Sequence, residues 1–295
     1  MAADVDTTGD TGAFQPFFWA TPAGRLFMLH HRPAPGVPVR GHVLCAPPFN
    51  EEMNRCRGMV TLQAQALAAI GIGTLVVDLF GTGDSEGDHG QARWDVWRAN
   101  LASALAWLQR QPGGCVGLWG IRLGAILAAE LHAQINAATS AQPAMALLFW
   151  QPVVEGKVHL NQFMRVKIAA QMDRPDLPRL TTAAMRQQWA AGDSVEIVGY
   201  EIHPVLAQAI EAAALASVPI APGTALLWLE QSVGDGADVG PASRKLLAQW
   251  PGSAVTVTTA LFDGPPFWQV HERALAPDAI TRTTRWLDQR TAVAG

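Results

Sequence analysis

A chain of 295 residues that is 49 % hydrophobic, only 16 % charged and carries a formal net charge of −4 is too apolar for disorder, and too acidic for a sequence-independent grip on nucleic acid. The three cysteines, Cys45, Cys56 and Cys115, show no C-x-x-C spacing and cannot all pair, which argues against a zinc site or a disulfide framework and for a reducing cytoplasm. No metal and no cofactor is expected, and the partner class is a small molecule or a protein.

The length suits one α/β core with an insertion. Residues 1–12 are acidic and polar, without the basic and apolar regions of a signal peptide, and read as a disordered tail. Phe14 to His31 then reads as a hairpin that turns at Thr21-Pro22-Ala23-Gly24. From His42 onward, short apolar strands alternate with helical periods, the pattern of a mostly parallel sheet with crossover helices. Strands are expected at 42–46, 73–79, 116–119, 144–150, 225–230 and 254–261. The longest apolar run, 66–80, is interrupted by Gly71, Gly73 and Asp78, so no membrane span is expected.

Helices are expected at 93–110, with Trp94, Trp97, Leu101, Leu105 and Leu108 on one face before Pro112-Gly113 ends it, and at 123–135. Two further helical stretches, 158–172 and 181–191, are separated by Pro175 and Pro178 and precede a helix at 207–216. The organisation that follows is a core over 13–154, a helical cap insertion over 155–205, and the rest of the core over 206–295.

Four segments carry the chemistry. Val116 to Leu127 runs from an apolar strand through Gly120-Ile121-Arg122-Leu123-Gly124 into an amphipathic helix, and resembles the nucleophile elbow of α/β hydrolases, with an arginine where a serine enzyme has its nucleophile. A cation at a helix N-terminus is disfavoured by about 0.3–1 kcal/mol, so an acidic partner is expected, from Glu51, Glu52, Glu230, Asp235 or an anionic ligand. The run Asp78 to Gly87 is glycine-spaced but does not lead directly into a helix, so it is a structural loop and not a phosphate cradle. Ala46 to Asn54 places Glu51 and Glu52 on a loop after the first parallel strand, where they could serve acid/base work, hold Arg122, or simply open the next helix.

A triad would also need an acid near Glu230 or Asp235 and a histidine after the last strand. There Asp263-Gly264-Pro265-Pro266-Phe267-Trp268 puts Pro266 at the histidine position, and His271, five residues on, reads as a surface residue. This argues against a Ser-His-Asp mechanism. Trp119, Trp150, Trp228 and Trp268 fall at or just after strand ends on the ligand-binding face, and are expected to wall a pocket with Phe49, Gln151, Glu230, Gln231 and Gln269 around an Arg122 floor. Cys45 is a minor alternative nucleophile, since it lies inside an expected core strand.

The runs Pro47-Pro48-Phe49, Glu51-Glu52-Met53-Asn54, the loop Asp78 to Gly87, Leu118 to Ala125, Trp150-Gln151-Pro152-Val153, Gly199-Tyr200-Glu201 and Gly264 to Gln269 together resemble the exosortase A system-associated hydrolase 2 family. That resemblance implies an α/β-hydrolase-fold protein of a bacterium with the exosortase/PEP-CTERM sorting system, encoded near exopolysaccharide genes, in which Arg122 belongs to the family pattern. The expected function is hydrolysis of an ester, thioester, or related acyl or glycan-linked substrate. Catalysis would rest on Arg122 with Glu51 or Glu230, and substrate binding on Phe49, Glu52, Trp119, Trp150, Gln151, Trp228 and Trp268. The competing expectation is a non-catalytic accessory protein whose Arg122 pocket holds an anionic ligand or a partner.

Overall fold

A computed structural model describes residues 13–138, 145–171, 180–233, 238–250, 255–270 and 272–291. The expected tail, the Pro175 and Pro178 break, Asp235 and His271 lie outside the described residues.

The hairpin β1 (Phe14–Thr21) and β2 (Gly24–His31) pairs Thr21 with Gly24 across the expected two-residue turn. Antiparallel pairing of β2 with β4 (Ile72–Val77) attaches it to a parallel array that continues through β3 (Gly41–Ala46), β5 (Cys115–Ile121), β6 (Ala146–Trp150), β9 (Thr224–Gln231) and β10 (Val255–Phe262). All residues of β3 and β6 are buried, because helices cover both faces of the sheet; this is why these strands read as unbroken apolar runs.

The side-chain period of two divides the core. Leu147 and Phe149 of β6 and Leu226 and Trp228 of β9 face one layer, which α2 (Trp94–Leu108), α3 (Gly124–Ala138) and α7 (Pro241–Leu247) cover. Trp119 of β5, Trp150 of β6 and Leu227 and Leu229 of β9 face the other, which α1 (Glu51–Ala68) and α8 (Pro277–Thr291) cover. Each fully buried large apolar side chain contributes about 1.5–3 kcal/mol. Helix α2 buries the face expected from its sequence, Trp94 to Leu108, and the Asp78–Gly87 loop is filled by its own aspartate: the Asp84 N–H donates to Asp78 Oδ2 at 3.0 Å and Arg57 pairs with it at 3.0 Å.

Between β6 and α6 (Pro204–Ala212) lie α4 (Gly156–Gln171), α5 (Thr182–Ala191) and an antiparallel hairpin of β7 (Val195–Ile197) and β8 (Tyr200–Ile202). The insertion is therefore not purely helical as expected. Helix α6 begins three residues before the expected 207, with Pro204 in its first turn, and a separate 3-10 turn, Leu215–Ser217, follows it. Among the described residues no helix is long and apolar enough to cross a membrane.

Candidate functional site

The turn between β5 and α3 demands both of its glycines. A Cβ on Gly120 would stand 2.3 Å from Ala125 Cα, and one on Gly124 would stand 2.3 Å from the Ala46 carbonyl oxygen and 2.5 Å from that of Pro47. Between them Arg122 adopts φ 54°, a left-handed conformation unusual for a non-glycine residue, and three backbone hydrogen bonds hold it there. The Arg122 N–H donates to Trp150 O at 3.0 Å, while its carbonyl accepts from Ala125 N and Val153 N, each at 3.1 Å.

The guanidinium has an acidic partner, as its place at a helix start requires. Arg122 Nε donates to Glu52 Oε1 at 3.0 Å, Nη1 donates to the Gln151 carbonyl at 3.0 Å, and Cζ lies 5.4 Å from the centre of the Trp268 ring. Glu51 and Glu52 do not stand on a loop; they are the first residues of α1, where the helix dipole favours them by about 0.3–1 kcal/mol each. Asn50, just before them, has φ 50°, and Gln151, after β6, has φ 43°, so three non-glycine residues at the carboxyl end of the sheet share an uncommon backbone conformation.

From the cap, α4 lowers His159 onto this pair. The ring is 5 % exposed, packs edge-on against Phe49 at 5.9 Å, and brings Nε2 to 3.9 Å from Glu52 Oε2. Burial pushes the ring down to about 4, with Glu52 opposing the shift and Arg122 adding to it, so His159 is neutral at pH 7 and the contact with Glu52 is not an ion pair. Among the described residues neither ring nitrogen of His159 nor Glu52 Oε2 has a hydrogen-bond partner, although all three are buried, and a buried polar group left so costs about 1–3 kcal/mol.

A cavity of about 360 Å³ opens beside this cluster, bounded by Phe49, Glu51, Glu52, Arg55, Arg122, His159, Phe163 and Trp268 among others. A second, of about 250 Å³, shares Arg122, His159 and Gln162 with it and runs toward Gln151, Glu155, Glu230 and Ser243. Glu51 accepts a hydrogen bond from Tyr200 Oη at 3.1 Å and lies 3.9 Å from Arg55 Nε.

No family model matches the chain, and no curated protein matches it in sequence. Solved structures do match it in shape. Est1E from Butyrivibrio proteoclasticus, solved with ferulic acid bound, superposes with a TM-score of 0.59 over 95 % of this chain and 100 % of its own at 12 % identity. Alpha/beta hydrolase domain-containing protein 10 from mouse gives 0.55 over 95 % and 100 % at 14 % identity, and an alpha-beta hydrolase from Vibrio vulnificus gives 0.52 over 95 % and 81 % at 16 % identity. The chain has the α/β-hydrolase fold. Likeness at these identities establishes architecture, and the chemistry has to be argued from the side chains.

The other triad stations of this fold hold no acid–base pair among the described residues. Glu230 is 5 % exposed and both carboxylate oxygens are engaged, Oε1 by Trp228 Nε1 at 2.7 Å and Oε2 by the Gly240 N–H at 2.8 Å. After β10, Pro265 and Pro266 form a turn in which Phe267 N donates to Pro265 O at 2.8 Å, with no histidine in the run. Cys45 is 1 % exposed and burial pushes its thiol far up, which leaves it a packing residue.

Of the expected binding residues, Phe49, Glu52 and Trp268 border the first cavity, and Gln151 borders the second. Trp119, Trp150 and Trp228 border neither. They are buried in the two core layers, because strand side chains stand perpendicular to the sheet, so a tryptophan at a strand end packs under a helix instead of projecting off the end. Trp150 Nε1 donates to Thr283 Oγ1 of α8 at 2.8 Å. Nothing in the sequence marks His159: a lone histidine inside a helical period gives no spacing signal, and only the fold of the cap brings it to Glu52.

Proposed function

We propose that this protein is a serine-free hydrolase of an acyl ester or thioester, or of a related glycan-linked acyl group, in which Arg122 stands where serine hydrolases of the fold carry the nucleophile. The observation that carries the reading is the meeting of Arg122, Glu52 and His159 at the junction of two cavities. His159, kept neutral by burial, is the base: it takes a proton from water as the water oxygen bonds to the acyl carbon, and the imidazolium so formed is stabilised by Glu52. The carbonyl oxygen gains charge beside Arg122, which has five N–H groups and spends two of them on Glu52 and Gln151. Collapse of the adduct breaks the acyl–oxygen or acyl–sulfur bond, and the leaving group takes the proton back from His159. Of the carboxylates considered from sequence, Glu52 fits this role; Glu51 is held by Tyr200, and Glu230 by Trp228 and Gly240. On the motif runs described above we assign the chain to the exosortase-associated hydrolases, working in the cytoplasm on an intermediate of exopolysaccharide or sorting chemistry.

The test is turnover of a panel of chromogenic acyl esters and thioesters by the purified protein, with Arg122→Ala, Glu52→Gln and His159→Gln alongside. The reading expects each variant to lose about 10²–10⁴-fold, the range for an oxyanion donor or a general base. A wild type without turnover, or turnover that survives in His159→Gln, sinks it.

A second reading has its own observation. Arg122 gives two of its five N–H groups to Glu52 and Gln151, and the others suit a carboxylate held in the cavity without reaction, as in an accessory protein. Saturable binding of a carboxylate ligand that Arg122→Ala abolishes, in a protein without turnover, would decide for that reading.

A further inference from the structure

The hairpin of β7 and β8 turns through Val198-Gly199, with Ile197 paired to Tyr200 on either side. Both turn residues have positive φ, 51° at Val198 and 82° at Gly199, which is the type I′ turn that favours Asn-Gly. Valine is a poor occupant of that first position, because its β-branched side chain crowds the backbone in the left-handed region. Yet Val198 is 44 % exposed and lines the first cavity, as do Trp268 and Val166 of α4, which is 50 % exposed. Folding burial does not account for an apolar residue in that position.

The turn has little freedom to relax. Tyr200 Oη donates to Glu51, His89 Nδ1 donates to the Glu201 carbonyl at 2.8 Å, Trp189 Nε1 donates to the Ile202 carbonyl at 3.0 Å, and Lys167 Nζ donates to the Glu196 carbonyl. These bonds tie the hairpin to α1, to the 3-10 turn His89–Gln91, and to α5 and α4. An uncommon conformation persists where its surroundings over-determine it, and such residues gather at ligand clamps.

We propose that Val198 is a specificity-determining residue, a fixed apolar finger that contacts the distal part of an acyl chain whose carboxyl end lies at Arg122. The inference rests on the acyl reading of the cavity. It assigns the wall formed by Phe163, Val166, Val198 and Trp268 to an alkyl or aryl tail, and it makes chain length the property selected. Short acyl groups held at Arg122 do not reach the turn and are indifferent to position 198.

The experiment titrates the wild type, Val198→Asn and Val198→Ile with acetate, hexanoate and decanoate by calorimetry, alongside thermal unfolding and turnover of the matching chromogenic esters. The wild type is expected to bind more tightly as the chain lengthens. Val198→Asn should weaken decanoate about threefold to tenfold, leave acetate unchanged and raise the melting temperature, since asparagine suits the turn. Val198→Ile should keep the length preference. Greater stability together with weaker binding separates a ligand contact from a merely structural role. Equal decanoate affinity in Val198→Asn and wild type, or an unraised melting temperature, overturns the inference. If carboxylates bind with the expected length dependence while no ester turns over, the hydrolase reading fails and the role of Val198 stands. Turnover without length dependence has the opposite meaning, and neither binding nor turnover removes both.

Discussion

The turn after β5 and the loops after β9 and β10 divide backbone and side-chain roles differently. At the elbow the backbone is fully specified, with two glycines that no side chain can replace and a left-handed residue between them, while the side chain is an arginine. After β9 an acid is present, but its oxygens serve an indole and a backbone N–H; after β10 a proline turn stands where a histidine would be needed. Backbone geometry at the elbow is set by packing against β3 and α3 and is independent of what the apex residue does. The loops have no such constraint, so their side chains can be taken for structural work.

The strongest way to break this contrast is at the glycines. Gly124→Val places a side chain against two backbone carbonyls and should cost about 3 kcal/mol or more, read as a lowered urea midpoint; a neutral result would mean that the elbow is not packing-determined. Acid comes next. His159 and His132 titrate near 4 and His30 near 3 in the folded chain, all lowered by burial, whereas in the unfolded chain each titrates near 6.5. Their contribution is therefore whole above pH 6.5, declines as the unfolded state takes up protons first, and is lost as the pH falls through the folded values. The limiting slope is about 1.4 kcal/mol per pH unit per histidine, and His159→Gln should flatten it. If His159 is the base, the acid limb of kcat/KM lies near pH 4, and a limb near 6.5 would remove it from that role.

Arg122→Met leaves Glu52 without its cation. The side chains are 11 % and 18 % exposed, so the loss of about 3–5 kcal/mol usual for a broken buried pair is discounted to about 2 kcal/mol, and Arg122→Met with Glu52→Gln should recover part of it. Glu230→Gln should cost about 1 kcal/mol and leave any ester turnover unchanged, because it disturbs hydrogen bonds to Trp228 and Gly240 only. The smallest expected effect is none: Arg122→Ser alone should create no acyl-enzyme burst, since the described run Gly264–Gln269 after β10 holds two prolines and no histidine to activate the serine. A burst would show that a base other than one in this run reaches the elbow.

The elbow and the parallel strands were legible because doubly covered strands are continuously apolar and because a strand-to-helix turn this tight admits only glycine at two places. The need for an acid beside Arg122 was legible from helix electrostatics, although Glu52 reaches it from a helix turn and not from a loop. The places of Trp119, Trp150 and Trp228 near strand ends are plain in the sequence, but the alternation of faces that turns their rings into the core layers depends on the sheet register. The β7–β8 hairpin has no sequence signal, since its strands have three residues each and its turn begins with valine and not with the asparagine typical of such turns. His159 was invisible for a different reason: its significance is a distance to Glu52, and no local pattern encodes that.

Trp268, buried like Trp119, Trp150 and Trp228, differs from them in lining the first cavity with its ring beside a guanidinium. The protein thereby contains its own optical gauge. Filling the cavity changes the surroundings of this indole and leaves those three untouched, so the difference in emission between the wild type and Trp268→Phe isolates occupancy of the site without an added dye, even for a ligand that undergoes no reaction.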